Sequence, residues 1–296
     1  MKSRLLLTGA TGFIGSQTIA GLLERNFEVH AVSSRPNVSL PSPVVYHRVN
    51  LLERQSVETL CKQVQASHLL HFAWYVETGH YWNSPKNLAW TAASLQLLQS
   101  FAENGGQRAV FSGTCAEQPV EQNITAPAGV YPRCKDSLRR IAEDFCRTAH
   151  LSFAWGRIFF LYGPGESRSR LVASAVLSLL DSQKVICKNP AFRRDFMHVR
   201  DVANAFVHLL ASDYRGTLDI GSGTSVSLKD LVETLATQCK RSDLIELRPE
   251  SEQAEEPLEI KANPQMLNDL NFRPQFTLAA GLQDSIDWWK NCGKSL

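Results

Sequence analysis

Residues 4–15 constrain the rest of the chain. Arg4-Leu5-Leu6-Leu7-Thr8 is a short, nearly continuous apolar run, as in a buried strand. It leads into Thr8-Gly9-Ala10-Thr11-Gly12-Phe13-Ile14-Gly15, which opens a helix running to about Asn26. A strand, a glycine-rich turn and a helix N-terminus together make a site for a pyrophosphate, because unpaired backbone N–H groups and the helix dipole both face the anion. Gly9 allows the tight turn, Gly12 lets the backbone approach the phosphates, and Gly15 lets the helix pack closely on the sheet. The spacing is G-x-x-G-x-x-G, not the commoner G-x-G-x-x-G.

Strand and helix patterns then alternate. Strands are expected at Glu28 to Val32, Val44 to Arg48, Leu69 to Ala73, Arg108 to Ser112 and Leu151 to Phe160. Helices are expected from about Glu53 to Val64, Asn87 to Glu103 and Tyr131 to Thr148. This order predicts an α/β protein, a Rossmann-like doubly wound parallel sheet. Past Tyr162 the pattern loosens, which predicts a smaller C-terminal α/β substrate-binding domain. The expected division is 1–162 for dinucleotide binding and 163–296 mainly for substrate, with about 194–221 returning to the first domain. Pro249 to Pro257 is acidic and is expected to be a surface loop.

With 296 residues, 44% of them hydrophobic, the chain can bury a large core. Its 31 basic and 29 acidic residues give a formal charge of +2, so no charge imbalance points to nucleic acid or a membrane surface. The seven cysteines form no C-x-x-C pair, and neither a disulfide frame nor a metal site is expected. The first strand begins almost at the N-terminus and no apolar run reaches membrane-spanning length, so a cytoplasmic protein is expected. The sequon Asn123-Ile124-Thr125 then has no glycosylation role.

The end of the second strand bears on the cofactor. In such folds an acid there holds the ribose hydroxyls of NAD, whereas an arginine accommodates the extra phosphate of NADP. Ser33-Ser34-Arg35 has no acid, and Ser34 and Arg35 supply a hydroxyl and a guanidinium. NADP is therefore expected, with NAD as the alternative. After the fourth strand, Trp74 to Pro85 is polar and aromatic, and holds Tyr75 and Tyr81 where ligands bind in this class of sheet.

Tyr131 and Lys135, four apart on a helix, share a face. An ammonium beside a phenol lowers its pKa, so the phenol can exchange a proton with a substrate oxygen. Thr114, at the end of the fifth strand, offers a hydroxyl to the same oxygen, and all three groups meet the glycine-rich turn at one sheet edge.

These residues resemble the extended short-chain dehydrogenase/reductase family, in its nucleotide-sugar epimerase/dehydratase/reductase branch. Thr8 to Gly15 resembles its dinucleotide motif, which implies cofactor contacts from Gly9, Thr11, Gly12, Phe13, Ile14 and Gly15. His71-Phe72-Ala73 resembles the segment lining the cofactor, and Asn50-Leu51 stands where the family has an acid after the third strand. Thr114, Tyr131 and Lys135 match the family's catalytic hydroxyl, proton donor and lysine; Arg157 and Tyr162-Gly163-Pro164 match the stretch over the nicotinamide. Arg194 matches an arginine that contacts the substrate diphosphate. The family's 4,6-dehydratases carry Asp-Glu after the threonine, but here Cys115-Ala116 follow, which argues against dehydration.

The resemblance implies NADP-dependent reduction of a nucleotide-linked 4-keto-6-deoxyhexose. The alternative is a nucleotide-sugar 4-epimerase with tightly held NAD. A cofactor-binding scaffold without turnover is disfavoured by the intact Thr114, Tyr131 and Lys135. The family also implies a homodimer built from the helices of Asn87 to Glu103 and Tyr131 to Thr148.

Overall fold

The computed structural model describes residues 2–117, 129–248 and 257–292. The sequon, most of the acidic Pro249 to Pro257 stretch and most of the loop before Tyr131 lie outside the described residues.

The first half alternates as expected: β1 (Arg4–Thr8), α1 (Gly15–Glu24), β2 (Glu28–Ser33), β3 (Val45–Arg48), α2 (Arg54–Val64), β4 (His68–His71), α3 (Lys86–Glu103), β5 (Arg108–Thr114), α4 (Val130–Thr148) and β6 (Ser152–Ile158). After them come β7 (Phe160–Tyr162), α5 (Leu171–Leu180), β8 (Val185–Lys188), β9 (Arg193–His198), α6 (Val199–Ala211), β10 (Gly216–Ile220), β11 (Ser225–Ser227) and α7 (Leu228–Cys239). The last elements are β12 (Ile245–Arg248), β13 (Glu259–Ile260), α8 (Gln265–Asp269) and α9 (Leu278–Cys292).

Seven strands form one parallel sheet in the order β10-β6-β5-β4-β1-β2-β3. The chain order reverses between β1 and β4, and a crevice opens outside their carboxyl ends, where doubly wound sheets bind ligands. Leu5, Leu6 and Leu7 are fully buried because both faces of the sheet are covered. One face packs on α1 and α6 through Leu22, Phe206 and Leu210; the other packs on α2, α3 and α4 through Leu60, Phe101 and Leu138. The fold class read from the sequence is borne out.

A third core gathers α5, α7 and α9 around Val176, Leu235 and Ile286, beside the short pair β8–β12. The small sheet β11-β9-β13, with β7 also on β9, lies in this part of the chain. Sequence reading treats Arg193 to Val199 as a lead-in to a helix, but Arg193–His198 is a strand. Its alternation is hidden because Arg194, Asp195 and His198 are polar and buried. Asp195 is satisfied by backbone N–H groups of Ser222 (2.9 Å), Gly223 (2.8 Å) and Ala262 (3.1 Å), so its carboxylate holds two turns together. Among the described residues no helix is long and apolar enough to cross a membrane.

Candidate active site

The turn after β1 depends on glycine for steric reasons. Gly9 has φ +68°, and a β-carbon there would lie 2.9 Å from the Ala73 nitrogen. The Gly12 N–H donates to the Gly9 carbonyl at 2.9 Å. A β-carbon on Gly15 would lie 2.3 Å from that same carbonyl oxygen. The helix start therefore presses on the turn, leaving a backbone cradle that side chains would fill. This fits a pyrophosphate.

The cradle borders a cleft of about 320 Å³. Gly9, Gly12, Phe13, Ile14 and Gly15 form one wall, and Phe72, Ala73, Trp74 and Tyr81 another. Thr114, Tyr131 and Lys135 line the same cleft. The structure thus brings together most of the residues singled out from the sequence. Thr11 lies beside the turn, its Oγ1 3.1 Å from Ser33 Oγ.

Tyr131 is set by the aromatic loop after β4. Its N–H donates to the Trp82 carbonyl at 2.9 Å, and its ring stands edge-on to Tyr81 with centroids 4.9 Å apart. Burial pushes the phenol well above its ordinary value, Tyr81 adds to this, and a hydrogen bond with Thr114 pulls the other way. The lowering by lysine expected from the sequence does not dominate here. Lys135 Nζ instead donates to the Ser112 carbonyl at 2.9 Å, and burial pushes its pKa down. At neutral pH the phenol is therefore held protonated in the free protein. Burial also pushes the Cys115 thiol up to about 12, so it is neutral and not an acid/base group.

Behind these groups lies Glu117, whose carboxylate accepts from Trp155 Nε1 and from Arg157 Nε at 3.4 Å. Arg157 also reaches Asp219 at 3.2 Å. His71 is buried between Thr8 Oγ1 (2.7 Å) and Ser94 Oγ (2.9 Å); burial pushes it down to about 3, so it is a neutral tie from β1 to α3.

Sequence reasoning did not single out several residues of the cleft lining, among them Trp74, Glu166 and Arg170. Glu166 and Arg170 follow the Tyr162-Gly163-Pro164 turn, whose position was the available signal. Glu166 is buried, and burial pushes its carboxyl up to about 8 against the Arg170 charge and an N–H from Ala173. Its Oε2 has no hydrogen-bond partner among the described residues.

Other expected residues lie elsewhere. Tyr75 is half-buried, donates to Glu77 Oε2 at 2.8 Å, and lines a separate shallow depression. Arg194 is buried, with Nη1 donating to the Arg193, Pro257 and Leu258 carbonyls at 2.9, 3.0 and 3.2 Å. Asn50 is exposed and supports the start of α2 through Glu53 (2.9 Å) and the Leu52 N–H (3.2 Å), while Leu51 packs in the core. Among the described residues, no group of His, Cys, Asp or Glu is arranged to hold a metal ion.

Comparison with known proteins sets these observations in a family. The model of the NAD dependent epimerase/dehydratase family matches residues 5–221. The chain is 24% identical to the GDP-6-deoxy-D-mannose reductase of Pseudomonas aeruginosa, over 98% of each chain. It is also 24% identical to a UDP-glucose 4-epimerase of Rhizobium meliloti, over 97% of each. The UDP-glucose 4-epimerase of Thermus thermophilus, solved in complex with NAD, superposes with a TM-score of 0.84 at 22% identity, covering 97% of this chain and 99% of that one.

The expectation of NADP is thereby corrected: the family model is NAD dependent and the Thermus fold relative holds NAD. The end of β2 gives a physical reason. Ser34 and Arg35 are exposed, and Arg35 is fixed through its backbone, its N–H donating to Ser33 Oγ at 3.2 Å and its carbonyl accepting from Tyr46. Among the described residues neither the Ser34 nor the Arg35 side chain is held in place by a hydrogen bond, so the strand end presents no built phosphate site. The family resemblance itself is borne out: the chain is an enzyme that belongs to the NAD dependent epimerase/dehydratase family.

Proposed function

We propose that this enzyme is a nucleotide-sugar 4-epimerase that works with a retained NAD. The convergence of Thr114, Tyr131 and Lys135 on the cleft bounded by the glycine turn carries this reading. The epimerase relatives and the NAD dependent family model support it. Bound NAD supplies a hydride acceptor that becomes the donor in the return step. The oxidation half needs Tyr131 as phenolate, so the Lys135 ammonium and the positive nicotinamide ring would have to offset the burial that raises the phenol pKa in the free protein; the phenolate would then take the sugar hydroxyl proton as the ketone forms and give it back as the new alcohol forms, with Thr114 holding the oxygen. Lys135 would hold the nicotinamide ribose. Arg170, half-buried at the cleft wall, meets the diphosphate with its forked donors. Arg194 is the alternative, but it would first have to release backbone carbonyls.

A second reading, reduction of a ketosugar by NADH, is favoured by the protonated Tyr131 phenol and by the reductase relative. Purified protein incubated with UDP-, GDP- and dTDP-hexoses separates the two. Proton NMR is expected to show the 4-epimer accumulating with no net nicotinamide consumption, and Tyr131→Phe to slow this by about a hundredfold to ten-thousandfold. Stoichiometric NADH consumption by a ketosugar, without epimerisation, would select the second reading.

The exposed Leu88 on α3 and Ile141 on α4 support a homodimer through these helices, their relative exposures being 63% and 50%.

A further inference from the structure

The cleft contains an aromatic face that the chemistry above leaves unused. Trp74 follows β4, is buried, and lines the cleft. Its Nε1–H donates to Asn87 Oδ1 at 2.8 Å. Asn87 is fully buried at the start of α3, and its Nδ2 donates to the Tyr81 carbonyl at 2.6 Å and the Ser84 carbonyl at 2.9 Å. One side chain therefore ties the aromatic loop and fixes the plane of the indole.

The face of that indole meets Lys135. Nζ lies 4.0 Å from the Trp74 ring centroid, against 5.8 Å for Trp155. The Trp74 ring also stands edge-on to Tyr131, with centroids 6.5 Å apart and planes at 71°. The ammonium thus has a carbonyl for one donor and a negative π face beneath it.

We propose that Trp74 is a positioning residue, its Asn87-clamped indole keeping the Lys135 ammonium charged and in place beside Tyr131. This rests on the roles given above to Lys135 and Tyr131.

Lys135 needs such a partner because burial drives it toward the neutral amine. Among its other neighbours, Glu117 is the one that opposes this fall. His71, on β4, is neutral. Tyr131, on the same helix, is a protonated phenol. Glu117 carries the opposing charge, yet burial pushes its carboxyl toward protonation. Arg157 neutralises it from the far side. The Trp74 face does not titrate, so it favours the ammonium at every pH.

The test is calorimetric titration of the full chain, first stripped of bound nucleotide, with NAD across the neutral to alkaline range. Affinity is expected to fall on the alkaline side as Lys135 loses its proton. A ring-fluorinated tryptophan placed at position 74 keeps the shape and the N–H but weakens the π face. It is expected to move that fall to lower pH by about one unit, as is Trp74→Leu. Lys135→Met is expected to flatten the profile. An unmoved fall in the fluorinated protein, or a fall persisting in Lys135→Met, would overturn the proposal. Tyr131→Phe separates it from the functional reading. Lost turnover with a wild-type binding profile supports both, whereas a shifted profile would assign the fall to the phenol and overturn the role of Trp74. Normal turnover in Tyr131→Phe would refute the functional reading, while the fluorination shift would still decide the role of Trp74.

Discussion

Glu166 shows what burial does to a single side chain. Its carboxyl has a raised pKa, so the folded chain holds a proton that the unfolded chain releases at lower pH. Between the ordinary value of 4.5 and about 8 the native state binds more protons, so stability falls as pH rises through that window. Glu166→Gln is expected to flatten that part of the profile in thermal melts at a series of pH values; an unchanged slope would remove Glu166 as its source. Nearby, Arg170→Ala is expected to raise the substrate KM about tenfold or more with kcat little changed, as loss of a charge-assisted phosphate contact does. Steady-state kinetics beside Arg194→Ala would check this, and a KM rise confined to Arg194→Ala would return the diphosphate to Arg194. The Tyr131 and Lys135 pair was legible in the sequence because a spacing of four fixes a shared helix face. Trp74 and Glu166 were not, because their significance comes from what other elements bury against them. Arg194 carried a motif signal, but its carbonyl partners are set by a late chain segment that no local pattern reveals.

At the scale of elements, long buried strands and their helices were legible because each carries a full apolar run or stripe. α2 (Arg54–Val64) and α3 (Lys86–Glu103) begin within one residue of the expected starts and end at the expected residues. Strands β8, β11, β12 and β13, of four, three, four and two residues, are too short to show a period. The junction of β5 with β6 is tightly built. A β-carbon on Gly113 would lie 2.0 Å from Trp155 Nε1 and 2.5 Å from Glu117 Oε1. Gly113→Ala is expected to destabilise the fold by about 1–3 kcal/mol through overpacking next to Thr114. Urea unfolding measures this, and a variant as stable as wild type would show that Trp155 and Glu117 shift freely.

For the whole molecule, the sheet order places the glycine turn, the aromatic loop, Thr114 and the start of α4 around one cleft. If α3 and α4 form the homodimer interface, then Leu88→Glu combined with Ile141→Glu converts the dimer to a monomer by light scattering; a wild-type monomer would refute the interface. The central claim, NAD-dependent chemistry at Tyr131 and Lys135, is tested most directly by stopped-flow absorbance of reduced nicotinamide. The protein is loaded with NAD and mixed with a nucleotide sugar. The wild type is predicted to show transient reduction that Tyr131→Phe loses. Equal reduction in both proteins, or reduction only when NADP replaces NAD, would contradict the account.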